Sequence, residues 1–339
     1  MKYSGIGGQA VIEGVMMRNK NKYAIAVRKP DGEIEVKTDE CGGIAAKNAF
    51  FRLPFIRGMV NFIDSLVLGM STLTYSTSFI EEDEDTSKKT EEEKKKSDAV
   101  FNVITILISV VLAVGIFMVG PYYLSLLIGR YIKSESLVIL IEGLIRVCIF
   151  VGYVSLISLM KDIKRVYMYH GAEHKCINCI EHGMELNVEN VMKSSREHKR
   201  CGTSFLLIVM VVSIILHMFI RVDSKALGFG IRILLLPVVA GISYEFIRLA
   251  GTSENKFVAL LSKPGMALQH MTTREPSPDM VEVAIASVEA VFDWKKFLNE
   301  NFGTDYEIVE KEYVVGEIIV PGTEKKNADR TCQADEVTA

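Results

Sequence analysis

Residues 101–129 contain no Asp, Glu, Lys or Arg. That run exceeds the roughly 20 apolar residues a helix needs to cross the hydrocarbon core of a bilayer. A helix apolar on every side has no face to offer water, so the run predicts a transmembrane helix. Three further apolar runs follow, at 136–160 (interrupted by Glu142 and Arg146), 203–220 and 226–250. The fold class this implies is an α-helical polytopic membrane protein of about four transmembrane helices with small α+β cytoplasmic parts. A mean hydropathy of +0.23 fits even though 24% of the residues are charged, because the charges lie mainly outside the runs. The formal net charge of -3 gives no basic field for phosphate backbones, so no nucleic-acid partner is expected. The partner directly implied is the lipid bilayer.

Lys and Arg are retained on the cytoplasmic side of short loops. The segment 161–202 carries eight of them, whereas the two short opposite loops hold only Arg130 and Lys133, and Arg221 and Lys225. Both termini and the 161–202 segment are therefore expected in the cytoplasm, in a multi-pass protein of the cell membrane. The opening residues lack a basic region followed by an apolar one, so no cleaved signal peptide is expected. The chain divides into a cytoplasmic N-terminal segment with a β-hairpin (1–53), an apolar or interfacial helix (54–80) and a charged linker (81–100). Transmembrane helices 1 and 2 (101–160), the central loop (161–202) and helices 3 and 4 (203–250) come next. A cytoplasmic C-terminal α+β region (251–322) and a disordered tail (323–339) complete it. The hairpin rests on Pro30-Asp31-Gly32, a turn signal between alternating runs at 23–27 and 33–37. Whether 54–80 lies in the interface, enters the membrane partway or packs under the spans is left open by the pattern.

Six cysteines are present. Cys41, Cys176, Cys179, Cys201 and Cys332 fall in parts expected to face a reducing cytoplasm and Cys148 in a span, so no structural disulfide is expected. The central loop opens with His170-Gly171-Ala172-Glu173-His174, which fits H-x-x-E-H, the inverted zinc-hydrolase motif. If the second span continues as a helix past the membrane surface, His170 and His174 share one face, as two imidazole ligands of one zinc require. Glu173 stands beside them as candidate general base for a zinc-bound water. A catalytic zinc takes three protein ligands and leaves one position open, and hydrolases of this motif resemble one another in recruiting a downstream Glu. Glu245, near the cytoplasmic end of the fourth run, or His198, ahead of the third, is the candidate third ligand. Three elements distant in sequence thus deliver polar or metal-competent side chains to one membrane face.

Two plainer readings stand beside this one. Cys176, Cys179, His198 and Cys201 form C-x2-C-x18-H-x2-C, close to a closed structural zinc clip that would only staple the loop. Alternatively the histidines are surface residues of a basic loop that need no ligand. Within the spans, Glu142, His217 and Arg232 fall one to two turns inside the outer membrane edge, with Arg146 a turn deeper. Charge in lipid is expensive, so these groups are expected to face one another, as a structural ion pair of Glu142 with Arg232 or as an ion or proton path.

The run from Gly7-Gly8-Gln9-Ala10-Val11-Ile12-Glu13 through Gly14-Val15-Met16-Met17-Arg18 opens a set of blocks. Arg57-Gly58, the blocks at 170–175 and 200–205, Ser243-Tyr244-Glu245 and Thr272-Thr273-Arg274-Glu275-Pro276 complete it. Together they resemble the bacterial YqhQ family, over the chain up to about residue 300. The resemblance implies a membrane domain of unknown function, described as a predicted metal-dependent enzyme, and names no reaction. The family pattern includes the 170–175 and 200–205 blocks but no cysteine pair at 176 and 179, which counts against the clip. Lys199 stands where the family usually has proline, a departure that leaves His198 and Cys201 in place. Gln9 or Glu13 either completes the site or pairs locally, and Arg274 either binds an anionic group or forms a surface salt bridge.

The expectation is a metalloprotein at the cytoplasmic membrane face. Zinc or another divalent transition metal is held by His170, His174 and a third group among Glu245, His198 and Cys201. The reaction is hydrolysis of a membrane-proximal substrate, peptide or lipid-linked. The alternatives are a non-enzymatic scaffold or regulator that docks a protein partner around a structural metal, and a small transporter using the intramembrane charges.

Overall fold

The computed structural model describes residues 1–40, 51, 53, 56–81, 104–105, 107–220, 225–252, 255–308 and 316–317. Its N-terminal part is an antiparallel meander of β1 (Ile6–Val11), β2 (Gly14–Asn19), β3 (Lys22–Arg28) and β4 (Ile34–Glu40), with β5 (Gly316–Glu317) added beside β4. The expected hairpin is β3–β4, with Val27 opposite Glu35. Its turn closes through Gly32, whose φ of +90° suits a residue without a Cβ, and through Asp31 Oδ1, which accepts the Glu33 amide at 2.9 Å. The β1–β2 hairpin was not anticipated. Its two-residue turn at Ile12-Glu13 places Glu13 at φ +53°, and its strands lack polar alternation because both sheet faces are covered.

Helix α1 (Ile56–Glu81) covers one face, where Leu68, Tyr75 and Phe79 meet Val11, Met16, Ile25 and Val27. The other face carries α4 (Lys161–Glu181) and α9 (Pro278–Glu289). There Val15, Met17, Ala24 and Val36 of the sheet meet Cys176, Ile177 and Ile180 of α4 and Met280, Val281 and Val283 of α9. Each fully buried Ile or Val in this layer contributes about 1.5–3 kcal/mol by leaving water. This core fixes α4 and thereby everything that α4 carries.

Among the described residues four helices are long and apolar enough to cross a membrane: α2 (Leu107–Ile128), α3 (Glu135–Ile157), α6 (Gly202–Phe219) and the Leu234–Gly251 part of α7 (Lys225–Thr252). They leave Val111, Leu144, Leu156 and Leu234 outward and exposed. At Gly143 a Cβ would meet Ile214 Cγ1 at 2.2 Å, so a glycine there lets α3 and α6 pack closely. Inside the group, Arg146 binds Glu142 at 3.0 Å and Ser125 Oγ donates to the same carboxylate at 3.3 Å. Arg146 Nε also donates to the Phe117 carbonyl, within a π-helical turn of α2 at Gly115–Val119. His217 Nδ1 donates to the Ser213 carbonyl at 2.6 Å. The Arg232 side chain, expected to pair with Glu142, lies outside the described residues.

Helix α3 does not run on into the motif helix, the condition under which the sequence put His170 and His174 on one face. Met160 is extended (ψ 136°), and α4 starts afresh at Lys161. After α4 come α5 (Val188–Lys193), α6, α7, α8 (Lys256–Thr272), α9 and α10 (Trp294–Phe302). The expected linker beyond residue 81, the tail 323–339, Cys41 and Cys332 all lie outside the described residues.

Candidate metal centre

The second half of α4 is buried almost all round, from Tyr169 to Glu181. The sheet and α9 take one side, and the segment after α8 crosses another. That crossing is tight: a Cβ at Gly171 would lie 2.0 Å from the Arg274 carbonyl oxygen, so only glycine admits the strand-like 273–276 segment. The Arg274 amide in turn donates to the Tyr167 carbonyl at 2.8 Å. At the start of α4 the Glu13 turn grips Arg165 through both carboxylate oxygens and receives Tyr169 Oη at 3.3 Å. Glu13 is thereby an anchor of the helix and stands outside the metal-competent group.

His170 and His174 project from successive turns, their rings 4.4 Å apart between centroids. His170 Nδ1 lies 2.8 Å from the Thr272 carbonyl and His174 Nδ1 lies 2.6 Å from the Arg196 carbonyl. A carbonyl can only accept, so both Nδ1 atoms carry hydrogen, and each Nε2 is the atom left to bind a metal once it gives up any proton it holds. Cys201, which precedes α6, brings its Sγ to 3.3 Å from His170 Nε2 and 3.1 Å from Thr203 Oγ1. One donor atom from each of His170, His174 and Cys201 falls within 4.8 Å of the other two, the sole such trio among the described residues.

Burial pushes the Cys201 thiol up, but the two imidazoles outweigh it and hold the thiol well below its ordinary value. Its place at a helix N-terminus acts in the same direction. Burial pulls His170 down, and the facing thiolate with the Glu173 carboxylate more than compensates, raising it to about 9. Glu173 itself is buried, with an oxygen 3.9 Å from His170 Nε2. Burial raises its pKa, against the pull of both imidazoles and of the Gly8 amide that bonds it. Two imidazole nitrogens, one thiolate and an adjacent carboxylate fit a divalent transition metal with a fourth position open, since such an ion favours borderline to soft donors.

The other candidates sit elsewhere. Glu245 is held by Arg57, whose Nε and Nη2 donate to its two oxygens at 2.7 and 2.6 Å, and it does not join the trio. His198 is buried beside His174, but its backbone is clasped by the Gln269 side chain and its Nε2 faces Glu181 at 3.7 Å. Cys176 and Cys179 point into the core, so the zinc clip is not assembled. Burial drives the Cys176 thiol well up and Cys179 to about 11, and both are inert as neutral thiols. Gln9 reaches the Gly69 carbonyl at 3.5 Å, on the α1 side of the sheet. Of the three third-ligand candidates the sequence offered, Glu245, His198 and Cys201, the fold brings Cys201 to the histidines, although the spacing also allowed it a place in the clip. Its one local signal is its place just before α6, a helix long and apolar enough to cross a membrane.

A family profile described as "Protein of unknown function (DUF1385)" matches residues 53–294, which include the whole trio. The chain is 33% identical over 308 residues to "Uncharacterized protein YqhQ" of Bacillus subtilis (strain 168), an alignment covering 89% of this chain and 97% of that protein. No solved structure matches. A match to the profile over most of the chain and to YqhQ over nearly its full length make this chain a member of the DUF1385, or YqhQ, family.

Proposed function

We propose that the chain is a metal-dependent hydrolase of the cell membrane, multi-pass with both termini cytoplasmic, whose site lies at the cytoplasmic face. His170, His174 and Cys201 hold the metal, zinc by donor set, and Glu173 is the general base. One observation carries the reading: two histidines locked by carbonyls with Nε2 outward, converging with a thiol from another element beside a buried carboxylate. A bound zinc supplies Lewis acidity and brings water to ionisation near neutral pH. Glu173, beside His170, would take up the water's proton and return it to the leaving group. The Thr272 and Arg196 carbonyls keep the two rings from turning during this cycle. The orientation is supported by the concentration of Lys and Arg in 161–202.

Elemental analysis of purified protein tests it. One equivalent of metal is expected in wild type, with loss in His174→Ala and Cys201→Ser and retention in Cys176→Ala. Cobalt-substituted protein should show thiolate-to-metal charge-transfer absorption that disappears in Cys201→Ser. Glu173→Gln should keep the metal but shift the pH at which the cobalt spectrum titrates. An unshifted profile would favour a scaffold with a structural metal, and a metal-free wild type would overturn the reading.

A second reading draws on the 3.3 Å approach of Cys201 Sγ to His170 Nε2. A thiolate beside an imidazolium is also the arrangement of a cysteine nucleophile. Rapid alkylation of Cys201 at neutral pH in protein as isolated, unchanged by chelator, would select this reading over the metal.

A further inference from the structure

A cavity of about 380 Å³ lies between the β1–β2 edge of the sheet and the helices α1 and α7. Gln9, Arg18, Lys20, Asn61, Ser65 and Tyr244 line it, and among the described residues no carboxylate does. Among the described residues neither Arg18 nor Lys20 is paired with an acid. Arg18 Nε donates to the Lys20 carbonyl at 3.0 Å, which pins the guanidinium and leaves its outer nitrogens for a ligand. Asn61 and Tyr244 are joined at 2.8 Å on the opposite wall. Two cations with neutral hydrogen-bonding groups, gathered in a concavity with no acid among its described residues, select an anion.

The surroundings say what the anion is attached to. At Gly58, a Cβ would meet Tyr244 Cβ at 2.9 Å and the Gly241 backbone at 3.1 Å, so α1 runs against the apolar Leu234–Gly251 stretch of α7. Beyond that contact α1 turns an apolar stripe outward, Ile63, Leu66, Val67 and Met70, with Val67 65% exposed. The next outward positions are Ser71, Thr74 and Ser78. The stripe is thus apolar only along the part of α1 nearest the span, and the cavity opens beside it at Ser65. An anion-binding pocket bordered by a span-level apolar strip fits an amphiphile with its head in the pocket and its chains along the strip.

We propose that this cavity seats the phosphate-bearing head of an anionic membrane lipid, with the acyl chains along Ile63, Leu66 and Val67. Gly8 belongs both to the cavity wall and to the metal centre, since a Cβ there would approach Glu173 Cγ at 3.0 Å. Lipid binding here stands apart from the metal reading, since none of His170, Glu173, His174 and Cys201 lines the cavity.

Native mass spectrometry of the full chain from mixed micelles tests it, with phosphatidylglycerol, phosphatidylcholine and inorganic phosphate as probes. Phosphatidylglycerol should be retained in preference to phosphatidylcholine. The double variant Arg18→Gln/Lys20→Gln should lose roughly tenfold or more of that affinity, as removal of charge-assisted hydrogen bonds implies. Its metal content should stay at the wild-type level, which also shows that it folds. Val67→Ser should weaken phosphatidylglycerol without changing phosphate binding. Equal retention of phosphatidylglycerol by wild type and double variant overturns the inference, and so does inorganic phosphate binding as tightly as the lipid. Lipid selectivity that survives in metal-free His174→Ala protein upholds this site independently, so a failure of the metal reading is separately visible.

Discussion

Gly171 and Thr272 show how single positions tune the centre. The Thr272 carbonyl orients His170, and the backbone that presents it passes so close to α4 that the Arg274 oxygen occupies the place of a side chain at 171. Gly171→Ala should force that segment away, costing about 1–3 kcal/mol as overpacking does. It should also weaken metal binding by about 10–100-fold through the lost orienting carbonyl. Thermal unfolding and competition with a chelator check the two effects, and a fall in stability with unchanged metal affinity would show that the carbonyl is dispensable. Nothing in the pattern H-x-x-E-H announces this, because the glycine's role is defined by a segment about one hundred residues away.

At the level of elements, Glu181 ties three pieces together. Its Oε1 accepts Ser4 N at 2.9 Å and Ser4 Oγ at 2.8 Å, joining the lead into β1, and receives Arg200 Nη2 at 2.5 Å from the segment ahead of α6. It is fully buried. Burial favours its neutral form, but His198, Arg200 and Ser4 outweigh that and bring it down to about 2 from an ordinary 4.5. A carboxylate depressed in the folded state binds fewer protons there than when unfolded. It stabilises fully above pH 4.5, by about 3 kcal/mol on linkage grounds, and the contribution is lost as the pH falls through about 2. Glu181→Gln should lower stability by about 3–5 kcal/mol near neutrality, since Arg200 loses its buried partner. The gap between variant and wild type should close on acidification from pH 5 to 2. Unfolding curves in detergent at each pH check it, and a gap independent of pH would refute the assignment. The hairpin at Pro30-Asp31-Gly32 was legible because a turn is a local event. The β1–β2 pair was not, because strands covered on both faces lose the alternation that marks a half-buried strand.

For the whole molecule, the trio links the motif helix α4 to the start of α6, an element long and apolar enough to span a membrane. A metal bound only by the folded state stabilises it by mass action, about 4 kcal/mol at a free concentration one thousand times Kd. Chelation should therefore lower the melting temperature of wild type and leave Cys201→Ser unchanged. Equal melting with and without chelator would show that no metal joins the two parts.

By itself, the sequence determined what depends on near neighbours: four runs long and apolar enough for spans, one turn, and two histidines on one helical face. Each follows from period, length or local turn chemistry, which act over a few residues. Only the tertiary structure decided which third side chain meets those histidines. It brought in Cys201, gave Glu245 to Arg57, and sealed Cys176 and Cys179 in the core. The reason is physical: ligand atoms converge through the packing of distant segments, and whether a polar group is free or satisfied is set by which carbonyl or guanidinium the fold places beside it.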